Sequence, residues 1–124
     1  MGHLTTLVAV IDDDESIRNS LSSLLRSHGF AVQIFQTTDD FLGASAVETA
    51  CCIVSDIQMP GKDGFGLAES YRDRGGQSQI IFITAFYDEA VAARARAVGV
   101  NVILKKPFEG QPLVDAIRAA CGRV

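Results

Sequence analysis

Acidic side chains gather at two points along this 124-residue chain. Asp12, Asp13 and Asp14 follow the apolar run Leu7–Ile11, and Asp56 follows the apolar run 51–55. Two further apolar runs end in other polar groups: residues 79–84 close on Thr84, and residues 101–104 lead into Lys105 and Lys106, just before Pro107. Carboxylates held close together repel one another unless a cation joins them. Hard oxygen donors of this kind suit Mg²⁺ (or Mn²⁺), which keeps several waters and often shares its shell with a phosphate. A lysine supplies a point charge for a phosphoryl oxygen, and a threonine supplies a hydrogen-bond donor. Acids, a metal, a lysine and a hydroxyl together make an apparatus for phosphoryl transfer. Asp56 stands where a nucleophile would, and a carboxylate can accept a phosphoryl group covalently.

These residues act together only if the fold converges them. The apolar pattern predicts five strands: Leu7–Ile11, Ala31–Phe35, 51–55, Gln79–Thr84 and 101–104. Helices are expected between and after them, over 16–26, 38–46, 64–74 and 88–98, with a last one that Pro112 helps to open. Ile17, Leu21, Leu24 and Leu25 share one helix face, as do Leu113, Val114, Ile117 and Ala120. An acid caps the start of the first helix, with Asp14 and Glu15 read as helix-start acids, and Gly29 stops it. Uniformly apolar strands alternating with helices imply a parallel sheet covered on both faces. In such sheets the functional crevice lies beyond the carboxyl ends of the strands, where all of these polar residues stand.

The composition narrows the remaining classes. At 48% hydrophobic residues the chain can build a core, which excludes intrinsic disorder. No apolar run approaches the roughly 20 residues that cross a bilayer, and no apolar segment follows a basic N-terminus as in a signal peptide. The net charge of −4 argues against nucleic-acid binding. The three cysteines, Cys51, Cys52 and Cys121, lack a CxxC spacing, so neither a disulfide framework nor a zinc site is expected. Cys51 and Cys52 read as buried small hydrophobes, and a reducing cytoplasm fits best. His3 and His28 are isolated and read as surface residues.

The chain resembles the receiver domains of two-component response regulators. The resemblance runs from Leu7 to the last helix. It rests on the run into Asp12-Asp13, on CIVSDIQMPGKDG around Asp56, on IFITA ending at Thr84-Ala85, and on Lys106-Pro107-Phe108. The intervals are similar to those in receivers of LuxR-type transcription regulators. The resemblance implies a flavodoxin-like, doubly wound (βα)5 sandwich of one domain. It implies that Asp56 is the phosphoacceptor and that Asp12 and Asp13 form the acidic pair, with Asp13 the more direct Mg²⁺ ligand. The backbone carbonyl of Gln58 would complete the protein ligands. Thr84 and Lys106 would engage the phosphoryl group, and a cis peptide before Pro107 would help to aim Lys106 inward. It further implies a sensor histidine kinase as donor, a downstream protein partner, and a monomer that can pair when phosphorylated. No nucleic-acid or membrane partner is expected through this chain, and no output domain follows the last helix.

The chain departs from the family pattern at Ile103, where the switch residue is usually Tyr or Phe. An isoleucine cannot reproduce an aromatic rotamer swing. Either the switch is muted, or the loop carrying Phe86 and Tyr87 transmits it. By itself Ile103 reads as a core residue of the fifth strand. Ala85 leaves a path to the site, and Gln58 and Phe86 flank it, where family members tune how fast water removes the phosphoryl group. Arg94, Arg96 and Lys105 read as solvated surface. Other readings fit less well. An aspartyl-nucleophile phosphatase needs a second Asp where Gln58 stands. A flavin-binding module needs a Ser/Thr/Gly-rich phosphate loop where Asp12-Asp13-Asp14 stand. A degenerate receiver would not retain the acids, Thr84 and Lys106 together.

Overall fold

A computed structural model describes residues 6–122; His3 lies outside them. Five strands, β1 (Leu7–Ile11), β2 (Ala31–Phe35), β3 (Cys52–Asp56), β4 (Gln79–Thr84) and β5 (Val102–Lys105), pair in parallel in the order β2-β1-β3-β4-β5. The helices are α1 (Glu15–Ser27), α2 (Thr38–Leu42), α3 (Ala46–Thr49), α4 (Gly64–Asp73), α5 (Glu89–Ala97) and α6 (Gly110–Ala120).

Alternate residues of each central strand point to opposite cores. Val8, Val10, Val54, Ile81 and Ile83 pack with Leu21 and Leu25 of α1 and Leu113, Val114 and Ile117 of α6. Ala9, Ile11, Ile53, Ile80 and Phe82 pack with Phe41 of α2, Phe65, Leu67 and Tyr71 of α4, and Ala95 of α5. Both sheet faces are therefore dry, which explains why the strands read as continuous apolar runs rather than alternating ones. The architecture is the flavodoxin-like doubly wound sandwich expected from the sequence.

Short polar side chains start the helices as their positions suggest. Asp14 Oδ1 accepts from the Ile17 N–H at 3.2 Å, Asp63 Oδ1 from Gly66 at 2.9 Å, and Asp88 Oδ1 from Val91 at 2.8 Å. Glu15 lies in the first turn of α1, where the helix dipole favours an acid. His28 closes that helix, half-buried, with Nδ1 3.0 Å from the Leu24 carbonyl oxygen.

Two expectations are corrected. The helix expected over 38–46 is broken in two. Gly43 caps α2, its N–H donating to the Asp39 carbonyl at 3.0 Å, and glycine disfavours continuation. The cysteine reading also fails for one pair. Cys51 and Cys121, 70 residues apart in sequence, form a disulfide with Cα atoms 5.5 Å apart. No local spacing could signal this pairing, because only the fold brings the end of α6 beneath the start of β3. Cys52 behaves as expected: it is free and buried, and burial pushes its thiol up to about 12.

Candidate phosphoacceptor site

The strand order reverses between β1 and β3. β1 leads to β2 on one side, and β3 leads to β4 and β5 on the other. Such a switch point opens a crevice at the carboxyl ends of the two strands. Ile11 pairs with Ser55, so the next residue on each strand, Asp12 and Asp56, reaches the crevice side by side. Asp12 is fully buried and Asp56 is 6% exposed. Lys106, carried by the loop after β5, spans both: its Nζ lies 3.1 Å from Asp12 Oδ2 and 3.3 Å from Asp56 Oδ2. The backbone places the lysine there, since the Lys106 N–H donates to the Thr84 carbonyl at 2.7 Å. The Lys106–Pro107 bond is cis, as the resemblance implied, and Pro107 itself is exposed.

The remaining lone pairs of the two acids are fixed by backbone. Asp12 Oδ1 accepts from the Asp14 N–H at 2.9 Å, and Asp56 Oδ1 accepts from the Gln58 N–H at 3.3 Å. Burial first, and the facing Asp12 carboxylate second, raise the Asp56 carboxyl above its ordinary range, against the pull of Lys106 and the Gln58 N–H. Burial alone would lower the Lys106 ammonium, but hydrogen bonding and attraction from Asp12 and Asp56 outweigh it and raise the group.

Asp13 is exposed, and its carboxylate comes within 4.8 Å of ligand atoms of Asp12 and Asp56. Three carboxylates at one point with a single ammonium are an excess of hard anionic donors. That donor set fits a small divalent cation such as Mg²⁺. Gln58 keeps its side chain in solvent.

Thr84, buried at the end of β4, is engaged with its own loop. Its Oγ1 donates to the Phe86 carbonyl at 3.0 Å and accepts from the Phe86 N–H at 3.0 Å. The hydroxyl makes no hydrogen bond to Asp56 or Lys106. Ala85 is exposed, Phe86 is 68% exposed and Tyr87 is 50% exposed, so the loop after β4 presents two rings to solvent. Phe86 borders a groove of about 490 Å³ with Ile57, Met59, Pro60, Val91 and Arg94. Ile103 pairs with Phe82 across β4–β5 and is half-buried against the core of α2, α4 and α5. This agrees with the packing reading of that residue. Arg94, Arg96 and Lys105 are all exposed, in agreement with the surface reading, and Arg94 also leans over the Phe65 ring at 4.1 Å.

Three supporting contacts were not read from the sequence. Arg18 Nη1 donates to the Asp12 carbonyl at 2.8 Å, and Thr38 Oγ1 donates to the Lys62 carbonyl at 2.9 Å, which ties α2 to the loop after β3. Gly64 is the third. A Cβ there would lie 2.8 Å from the Asp56 carbonyl oxygen and 2.8 Å from Ile57 Cα, so only glycine lets α4 start directly beside Asp56.

A sequence profile described as the response regulator receiver domain matches residues 8–118. The chain belongs to this family. Transcriptional regulatory protein FixJ of Azorhizobium caulinodans is 38% identical over 116 residues, covering 94% of this chain and 55% of that protein. Transcriptional regulatory protein TdiR of Thauera aromatica is 38% identical over 113 residues, covering 91% of this chain and 50% of that protein. The receiver domain thus spans about half the length of the curated relatives it matches. Among solved structures, the response regulator StyR superposes with a TM-score of 0.87 at 39% identity, over 96% of this chain and 60% of that one. The FixJ-N crystal structure superposes with a TM-score of 0.85 at 29% identity, over 98% of both chains.

Proposed function

We propose that this receiver domain is a phosphorylation-controlled signalling switch in which Asp56 accepts a phosphoryl group from a sensor histidine kinase or a small phosphodonor. The observation that carries this reading is the single ammonium of Lys106 held within 3.3 Å of two buried carboxylates at the β1/β3 switch point. An Asp56 oxygen forms the new bond to phosphorus as the bond to the donor's nitrogen or oxygen breaks. The Gln58 N–H and Lys106 hold the Asp56 carboxylate in place for attack. Once the phosphoryl group is attached, Lys106 Nζ can donate to one of its oxygens while keeping Asp12. Asp12, Asp13 and Asp56, with the Gln58 backbone carbonyl, would hold Mg²⁺ or Mn²⁺, which when bound supplies positive charge for the crowded carboxylate and phosphoryl oxygens.

Thr84 links the site to the surface. For its hydroxyl to donate to a phosphoryl oxygen it must release the Phe86 carbonyl. That frees the Phe86–Tyr87 loop to take another arrangement beside α5 and β5. The output is a population shift between two packings, read by a downstream protein partner at that face. With an isoleucine, Ile103, half-buried against the core, the loop rather than an aromatic rotamer carries the signal. The domain assists its own phosphorylation and slow hydrolysis and is not an enzyme acting on an external substrate. Kinase phosphoryl groups originate from ATP, which places the exchange in the cytoplasm. We assign the domain no nucleic-acid or membrane contact of its own, and expect a monomer that can pair through α5, β5 and α6 when phosphorylated.

The test is intact mass after incubation with acetyl phosphate and Mg²⁺, since the chain has no Trp to report by fluorescence. One phosphoryl increment is expected, absent in Asp56→Asn and in metal-free buffer. No increment from acetyl phosphate or a panel of kinases, together with no beryllofluoride binding, would replace this reading with a partner-binding domain that works without phosphate.

A further inference from the structure

The disulfide between Cys51 and Cys121 joins the segments just outside β3 and α6, at the opposite ends of those elements from Asp56 and the Lys106 loop. β3 carries Asp56 at its carboxyl end and follows Cys51 at its foot. α6 begins after the Lys106 loop and is followed at once by Cys121. Leu113, Val114 and Ile117 anchor α6 with fully buried side chains, whereas Ala120 and Cys121 beyond them are only half-buried. The end of the helix therefore depends on the covalent tie more than its start does.

Both sulfur-bearing residues are partly exposed and line a groove of about 880 Å³ with Arg74, Gln77, Ser78 and Glu48. A small thiol or peroxide can reach them there. The third cysteine cannot interfere. Cys52 is fully buried on the core side, and burial pushes its thiol up to about 12, which removes thiolate near neutral pH. The pair is thus isolated, accessible and free of competing exchange. In a cytoplasmic protein such a disulfide is more often reversible than permanent.

We propose that Cys51 and Cys121 form a reversible thiol–disulfide site that fastens the end of α6 to the foot of β3. The compartment is taken from the function proposed above; the thiol chemistry stands independently of phosphorylation. In the opening step, the thiolate of a dithiol reductant attacks one sulfur, and the other leaves as a thiolate that takes up a proton. The reductant's second sulfur then closes its own ring and releases the second cysteine. Two electrons and two protons pass to the protein. In the closing step, a peroxide oxidises one thiol to a sulfenic acid with loss of water, and the other thiol displaces a second water to form the S–S bond.

The experiment uses the folded chain in buffers of graded dithiothreitol and oxidised dithiothreitol, followed by thiol alkylation under native conditions and intact mass. The expected result is no label in the oxidised protein and two labels in the reduced protein, with Cys52 silent until unfolding. Removing the reductant and adding hydrogen peroxide should restore the unlabelled form. Opening should lower the thermal midpoint by roughly 5–15 °C. It should also raise amide exchange at residues 117–121 by about tenfold or more while leaving β1, β3 and β4 unchanged. Cys121→Ser should melt at the midpoint of the reduced wild type under both conditions, and Cys52→Ser should retain the redox response. A disulfide that millimolar dithiothreitol fails to open in the folded protein would overturn the proposal in favour of a permanent staple. Reduced thiols that peroxide fails to close would overturn it equally. Neither result bears on whether Asp56 takes a phosphoryl group.

Discussion

Lys106 Nζ lies 3.3 Å from Asp56 Oδ2, across 50 residues of sequence, and is shared with Asp12 at 3.1 Å. One ammonium therefore balances two buried carboxylates, leaving the site with net negative charge. This imbalance governs how the site responds to mutation, pH and metal.

Replacing Lys106 with Met keeps the aliphatic stem but leaves Asp12 and Asp56 facing each other unpaired. Lys106→Met should destabilise the metal-free protein by about 1–3 kcal/mol, less than a fully buried pair would lose because the ammonium reaches solvent. Urea unfolding with and without Mg²⁺ checks this, with Mg²⁺ expected to recover part of the loss. Phosphorylation by acetyl phosphate should slow by about tenfold or more, equivalent to a rise of roughly 1.4 kcal/mol in the barrier. An unchanged rate would remove Lys106 from the chemistry.

The Asp56 carboxyl binds its proton more tightly folded than unfolded. Its contribution to stability is therefore fully present below the unfolded value of about 4 and is lost as pH rises through the folded value. At neutral pH the ionised group is a net cost. Asp56→Asn should stabilise the metal-free protein at pH 7 by on the order of 1 kcal/mol, and the gain should vanish below about pH 4. Lys106 is also raised, so its contribution is present below about 10.5 and fades above that as pH passes the folded value. Urea midpoints from pH 3 to 11 would show both arms; a gain for Asp56→Asn that persists in acid would contradict this account.

Phe86 stands 68% exposed over the groove beside Gln58. Under the proposed function its ring has the part of hindering a water that approaches phosphorylated Asp56. Phe86→Ala should speed loss of the phosphoryl group several-fold while changing stability by less than about 0.5 kcal/mol, as for other exposed positions. Following the decay of the phosphorylated mass decides it, and an unaltered half-life would sink the idea.

Gly64 and Gly66 stand two residues apart at the start of α4 but differ in what they face. A Cβ on Gly64 meets backbone at 2.8 Å, whereas one on Gly66 meets side chains, Lys62 Cγ at 2.6 Å and Asp63 Oδ1 at 3.6 Å. Gly64→Ala should cost about 1–3 kcal/mol by forcing the backbone at Asp56 to shift. Gly66→Ala should stay within about 0.5 kcal/mol, because alanine's helix preference offsets the moved lysine. Denaturant titrations of the two variants compare them directly; equal costs would show that α4 does not abut the site.

Much of the site was legible because strand ends are marked by abrupt changes of residue type. Asp12, Asp56, Thr84 and Lys106 each end an apolar run, and parallel strands deliver such ends to one edge. The Thr84 hydroxyl's bonds to Phe86 were not legible, since a side chain's choice among nearby partners depends on loop conformation. The break at Gly43 was missed because a lone glycine inside a helical stretch lowers helix stability without by itself marking an end. The role of Gly64 was invisible, since a glycine's neighbours appear only when another strand end is laid against it.

By itself, the order of apolar runs, caps and acids determined a doubly wound parallel sandwich with acidic groups at its switch point. Burial on both faces demands that pattern, and it is written locally. Tertiary structure alone decided two things: that Lys106 is shared between Asp12 and Asp56, and that Cys51 meets Cys121. Each is a contact between segments far apart in sequence, and its partners are selected by the packing of helices on the sheet, which no local spacing encodes.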